Sequence, residues 1–117
     1  MSTIRTNTLS NVAGTQSTAI ENAINGSAKA WVNFNGTGTV AIRASFNVTS
    51  ITDNATGQYT VNFTTAMPNT NYAAVQNNDW YGLGYLDTYL TSSVKIYTIN
   101  NDWSPRDVGT ISIAVFR

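Results

Sequence analysis

The sequence predicts an all-β fold: an antiparallel β-sandwich of about seven to eight strands, preceded by an extended arm and one short helix. Three observations carry this. Turn signals recur at roughly ten-residue spacing from Lys29 onward, as in sandwiches and barrels of short strands. Between them, segments such as Tyr59, Val61 and Phe63 alternate with polar residues in the two-residue period of a half-buried strand. The composition agrees: 18 Thr favour strands, 15 Asn favour turns, and only 10% of the residues are charged, so short polar side chains rather than Lys/Glu helices supply the surface.

Residues 1–27 differ from the remainder. They contain no aromatic residue, and the first 14 read as an arm without a core of its own. Thr15 to Gly26 reads as a short helix, with Ser17 or Thr18 as cap, Glu21 completing a capping box with Thr18, and Gly26 as terminator. Its apolar stripe, Ile20, Ala23 and Ile24, needs a partner, because so short a helix is unstable alone in water. That stripe is the candidate anchor or trimer contact.

Residues 28–117 form the second unit. Ala30 to Phe34 is an apolar strand, Asn35 to Thr39 a turn, and Val40 to Val48 one strand long enough to bend. Asp53 to Gly57 is a hairpin turn leading to Gln58–Thr64, and Met67 to Thr70 turns the chain into Asn71–Gln76. Gly84–Leu90 is a candidate strand with Tyr85, Asp87 and Tyr89 on one face and Leu86 and Leu90 on the other. Ser93–Ile99 and Gly109–Phe116 complete the set. Asn77-Asn-Asp-Trp80 recurs as Asn100-Asn-Asp-Trp103, each after a strand. If Gly84–Leu90 is a strand, both tetrapeptides emerge at the same end of the domain.

Composition also excludes chemistry. With no His and no Cys, there is no imidazole base, no Ser-His or Cys-His pair, no disulfide and no zinc site of the usual kind. No cofactor is expected. Asp79 with Asp102 is the one carboxylate pair worth testing against a glycosidase, but both lie in Asn-rich turns, where Asp serves backbone hydrogen bonding. No segment has the spacing of a calcium loop. The six basic residues are scattered singly, which argues against nucleic acid as a partner. No apolar run approaches a membrane span, and the N-terminus lacks the apolar core of a signal peptide. The protein is therefore read as non-enzymatic.

The aromatic residues divide by position. Trp31, Phe34, Tyr59, Phe63 and Phe116 fall on strand patterns and are assigned to the core or a subunit interface. Trp80, Tyr81, Tyr85, Tyr89 and Trp103, with Asp79 and Asp102, are the candidate receptor-binding residues: rings stack on sugar faces and carboxylates satisfy hydroxyls. Burial in a trimer interface is the competing role for these rings.

The stretch Lys29-Ala-Trp-Val-Asn-Phe-Asn-Gly-Thr-Gly-Thr-Val-Ala-Ile-Arg43, with Ser45-Phe-Asn-Val48, Ile51-Thr-Asp-Asn54, Tyr59 to Pro68, Asn71-Tyr72, Thr91 to Val94 and Val115-Phe-Arg117, carries a likeness. It resembles the C-terminal domains of tail-fibre proteins of tailed bacteriophages, particularly those of aquatic hosts. The likeness spans about Ala28 to Arg117 and is weakest from Asn77 to Leu90. It implies a β-sandwich fibre tip on the virion surface, a homotrimer that engages the host surface. The loop aromatics make a bacterial surface glycan the candidate ligand, and residues 1–27, which lack a core of their own, are the candidate anchor to another virion protein. Such fibres carry a long shaft before this module, whereas here an arm and a short helix precede it. A capsid knob or decoration protein without receptor binding is therefore the alternative, and a lectin-like domain unrelated to virions a remote third.

Overall fold

The computed structural model describes residues 1–117. The chain is 50% strand and 6% helix, which establishes the all-β class. Eight strands form the sandwich: β3 (Ala28–Asn35), β4 (Ala41–Phe46), β5 (Val48–Ala55), β6 (Gln58–Phe63), β7 (Ala73–Asn78), β8 (Gly84–Asp87), β9 (Ser93–Thr98) and β10 (Ile111–Phe116). They make two four-stranded sheets, ordered β4-β3-β10-β7 and β5-β6-β9-β8, antiparallel throughout.

Alternation decides which side chains enter the core. Ala30, Val32 and Phe34 of β3 and Ile111, Ile113 and Val115 of β10 point inward from the first sheet; Tyr59, Val61 and Phe63 of β6 and Val94 and Ile96 of β9 point inward from the second. Phe34 meets Tyr59 edge-on at 5.4 Å, and Phe63 meets Tyr72 at 5.9 Å, so aromatic pairs bridge the sandwich near both ends. Burial pushes the Tyr72 hydroxyl up to about 12, with Tyr89 as the next cause.

The expected long strand Val40–Val48 is two strands. Asn47 adopts φ 56°, in the left-handed region that Asn tolerates, and the chain crosses there from one sheet to the other. Its side chain fixes the corner: Nδ2 donates to Lys29 O (3.0 Å) and Thr65 O (3.1 Å), and Oδ1 accepts from Thr65 N (2.7 Å). The β5–β6 hairpin is tighter than predicted, turning at Thr56-Gly57. Gly57 has φ +64°, and a Cβ there would collide with Thr98 O and the Arg106 backbone.

The N-terminal segment also corrects the sequence reading. β1 (Thr8–Ser10) and β2 (Ser17–Ala19) pair as a small hairpin, and α1 spans only Ile20–Gly26. The expected capping box is absent: Ser17 and Thr18 lie in β2, and Ala19 at the N-cap makes no side-chain cap. The cause is Asn11, whose Oδ1 accepts from Thr15 N (2.9 Å) and Gln16 N (3.2 Å) and closes the turn that commits residues 17–19 to the ladder. At the other end of α1, Lys29 Nζ donates to Ile24 O and Ser27 O, a cation capping the helix carbonyls. No residue of this segment is buried; Ile20 and Ala23 are half-buried and Ile24 is 56% exposed. Ile4, Ile20 and Ile24 line a shared cleft.

The molecule is long. Its extents are 51 × 28 × 24 Å, and its radius of gyration is 16.9 Å, against about 13 Å for a compact chain of this length. Strand directions give it two unlike ends. Residues 1–27, Asn47 and the 64–72 and 88–92 turns lie at the base; the 36–40, 56–57, 79–83 and 99–110 turns lie at the loop end.

Candidate functional site: the loop end

Because β8 is a strand, the chain runs up β7, down β8 and up β9, and both Asn-Asn-Asp-Trp segments reach the loop end. They touch. The Arg106 guanidinium, three residues beyond Trp103, lies over the Trp80 ring with Cζ 3.7 Å from its centroid. Such a contact stabilises by about 0.5–2 kcal/mol depending on desolvation. Here the indole compensates a poorly served cation: Arg106 Nε is cut off from solvent without a hydrogen-bond partner, and Nη1 reaches Asn100 Oδ1 only at 3.5 Å.

The two tetrapeptides are identical in sequence but not in structure. In the first, Asn77 and Asn78 finish β7, and Asn78 Oδ1 accepts from Trp80 N (2.9 Å) while its Nδ2 donates to Leu83 O (2.9 Å). Trp80 is half-buried against the core edge. In the second, Asn100 follows β9, Asp102 accepts from Ser104 N (3.0 Å) and Ser104 Oγ (2.5 Å), and Trp103 N donates to Asn100 O (3.0 Å). Trp103 is 76% exposed. Two equivalent indoles per chain are therefore not presented; one is covered and one is free.

The free aromatics sit on strained backbone. Trp103 has φ 69° and Tyr81 φ 57°, both left-handed, and Tyr81 is 84% exposed. Bulky residues rarely occupy this region, at a cost of roughly 1–2 kcal/mol each. Trp103, Tyr85, Leu83, Ile99, Asn100 and Asn101 line a groove of about 320 Å³. Tyr85 forms one wall, stacked on Tyr97 at 4.7 Å and 6°. A smaller pocket of about 190 Å³ is lined by Trp80 and Arg106 themselves, with Asp79, Asp107 and Thr37.

Behind the loops, Asp107 is the keystone. Its Oδ1 accepts from Gly57 N (2.7 Å) and lies 2.7 Å from the Tyr59 hydroxyl, which is also 2.8 Å from Gly36 O. Burial, reinforced by Asp107, holds the Tyr59 hydroxyl protonated well above the ordinary tyrosine range. This ties three turns, at Gly36, Gly57 and Asp107, to one buried ring and gives the surface loops a rigid base.

Of the predicted residues, Asp79, Trp80, Tyr81, Tyr85, Asp102 and Trp103 lie at the loop end. Tyr89 does not. Strand β8 stops at Asp87, Thr88 turns with φ 47°, and Tyr89 packs beside Tyr72 at 5.2 Å near the base, while Leu90 points outward, opposite to expectation. Ile20, Ala23 and Ile24 are on the N-terminal helix at the far end. Sequence reasoning missed Arg106, which counted as one scattered cation; its position after the Trp103 turn was the available signal. Ser104 hydrogen bonds hold the fully exposed Asp102 below the usual carboxylate range. No family model matches the chain, and neither curated proteins nor solved structures yield a match.

Proposed function

We propose that the protein is a non-enzymatic attachment module of a tailed-phage virion, tail-fibre-tip-like, whose loop end binds a bacterial surface glycan. One observation carries the reading: Trp103 and Tyr81, the most exposed large rings of the sandwich, are held on left-handed backbone with no burial to offset the strain. Strain of this kind concentrates at functional sites. The Trp103–Tyr85 groove has the parts a sugar needs, with rings for its apolar face and the Asn100 and Asn101 amides for hydroxyls. Residues 1–27, at the opposite end, are the proposed anchor to another virion protein. In a homotrimer, three weak sites act together by multivalency.

The test is binding of purified protein to an array of bacterial surface polysaccharides. Trp103→Ala is expected to weaken binding roughly tenfold or more, as loss of a hot-spot ring does, and Tyr81→Ala to weaken it less. Binding unaffected by both substitutions, or no binding to any bacterial polysaccharide, refutes the glycan reading and leaves a decoration protein without receptor affinity as the better one.

A further inference from the structure

No Asp, Glu, Lys or Arg lines the Trp103–Tyr85 groove. The charged side chains around it are engaged elsewhere. Asp102 Oδ1 accepts from Ser104 N and Oγ, Arg106 lies over Trp80, and Lys95 lies over the Tyr97 ring at 5.5 Å. An acidic sugar entering the groove gives up water without meeting a cation, and an ammonium group gives it up without meeting a lining carboxylate. Leu83 and Ile99 add aliphatic surface to the two rings. The two lining asparagines differ in what they have left to offer. Asn100 Nδ2 donates to Ser104 Oγ (2.9 Å), but its Oδ1 accepts only from Arg106 Nη1 at 3.5 Å, so that oxygen keeps acceptor capacity. Asn101 is exposed and its carboxamide bonds to nothing within the chain, which leaves the Nδ2 donors free. A spare acceptor and a spare donor thus stand on adjacent residues of one uncharged, largely apolar groove.

The geometry points to a neutral acetamido sugar, an N-acetylhexosamine unit, as the ligand of this groove. The inference rests on the glycan reading above and narrows it to one chemical class. The N–H and C=O of a trans secondary amide point in opposite directions, so two protein groups rather than one must serve them. Asn101 Nδ2 donates to the acetamido carbonyl, and Asn100 Oδ1 accepts from the acetamido N–H. The acetamido methyl covers Leu83 and Ile99, while the pyranose ring stacks on exposed Trp103. A plain hexose has neither the methyl nor the amide, and a deoxyhexose has the methyl alone. A uronate brings a charge that no lining residue meets. The volume of about 320 Å³ lies at the small end of ligand sites and suits one such unit rather than a run of them.

Titration of the isotope-labelled full chain, followed by nuclear magnetic resonance, tests it. The probes are N-acetylglucosamine and N-acetylgalactosamine, each beside its parent hexose, free amine and uronate. At least one acetamido sugar is expected to bind roughly tenfold tighter than its parent hexose, and the amine and uronate no tighter than that hexose. Asn101→Ala, an exposed turn position that leaves the fold intact, is expected to cut the acetamido advantage to under about threefold and to leave hexose affinity unchanged. Trp103→Ala weakens every sugar alike. Equal affinity for acetamido and plain hexoses, tighter binding of a uronate or amine, or an acetamido advantage that survives Asn101→Ala overturns the inference. In those cases binding that still depends on Trp103 leaves the glycan reading standing. A chain that binds neither these sugars nor any bacterial polysaccharide overturns both, so the two failures are distinguishable.

Discussion

An indole in the left-handed region is strained by its own Cβ, and at Trp103 no buried contact offsets that strain. Asparagine tolerates the same φ. Trp103→Asn is therefore expected to stabilise the fold by roughly 0.5–1 kcal/mol while abolishing glycan binding, a separation read by thermal melting beside the binding assay. Trp80 has the same tetrapeptide context and the opposite character, packed on the core edge beneath Arg106. Trp80→Ala is expected to destabilise by about 2–3 kcal/mol, between an exposed ring and a fully buried one. If both substitutions moved stability equally, the distinction between covered and free indole would fail. Sequence alone could not separate the two, because the difference lies in which polar residue closes each turn: Asn78 onto Trp80 N, Asp102 onto Ser104 N.

At the scale of elements, patterning revealed what period-two alternation controls and missed what single side chains decide. Tyr59, Val61 and Phe63 were readable as an inward face because burial imposes alternation on β6. The sheet change at Asn47 was not, since a corner is written in three hydrogen bonds to residues 18 positions away. Asn47→Ala removes those bonds and puts a methyl group on left-handed backbone, for an expected loss of about 2–4 kcal/mol. Asn47→Gly keeps the backbone freedom and is expected to lose less, with denaturant unfolding as the measure. The helix failed similarly. A Thr-x-x-Glu spacing signals a capping box only if the preceding residues are free, and Asn11 had already drawn them into a hairpin. Thr88 likewise ended β8 early and carried Tyr89 away from the candidate site.

For the whole molecule, the division at residue 27 separates a buried core from a segment that contributes nothing to it. The first buried residue is Ala30. A chain lacking residues 1–27 is expected to keep its melting temperature within a few degrees, and its radius of gyration to fall from 16.9 Å toward about 12 Å by solution scattering. A collapse of cooperative unfolding would show that the segment is integral to the sandwich. The same division leaves the anchor proposal and the ligand proposal at opposite ends of the strands. A pull applied between those ends runs along the strands rather than across them. The β3–β10 and β6–β9 ladders would then be loaded in shear, with many hydrogen bonds sharing the tension at once, whereas a pull across the sheets would part them rung by rung. The direction in which a tethered adhesin would be tugged is thus the direction in which this sandwich is mechanically strongest.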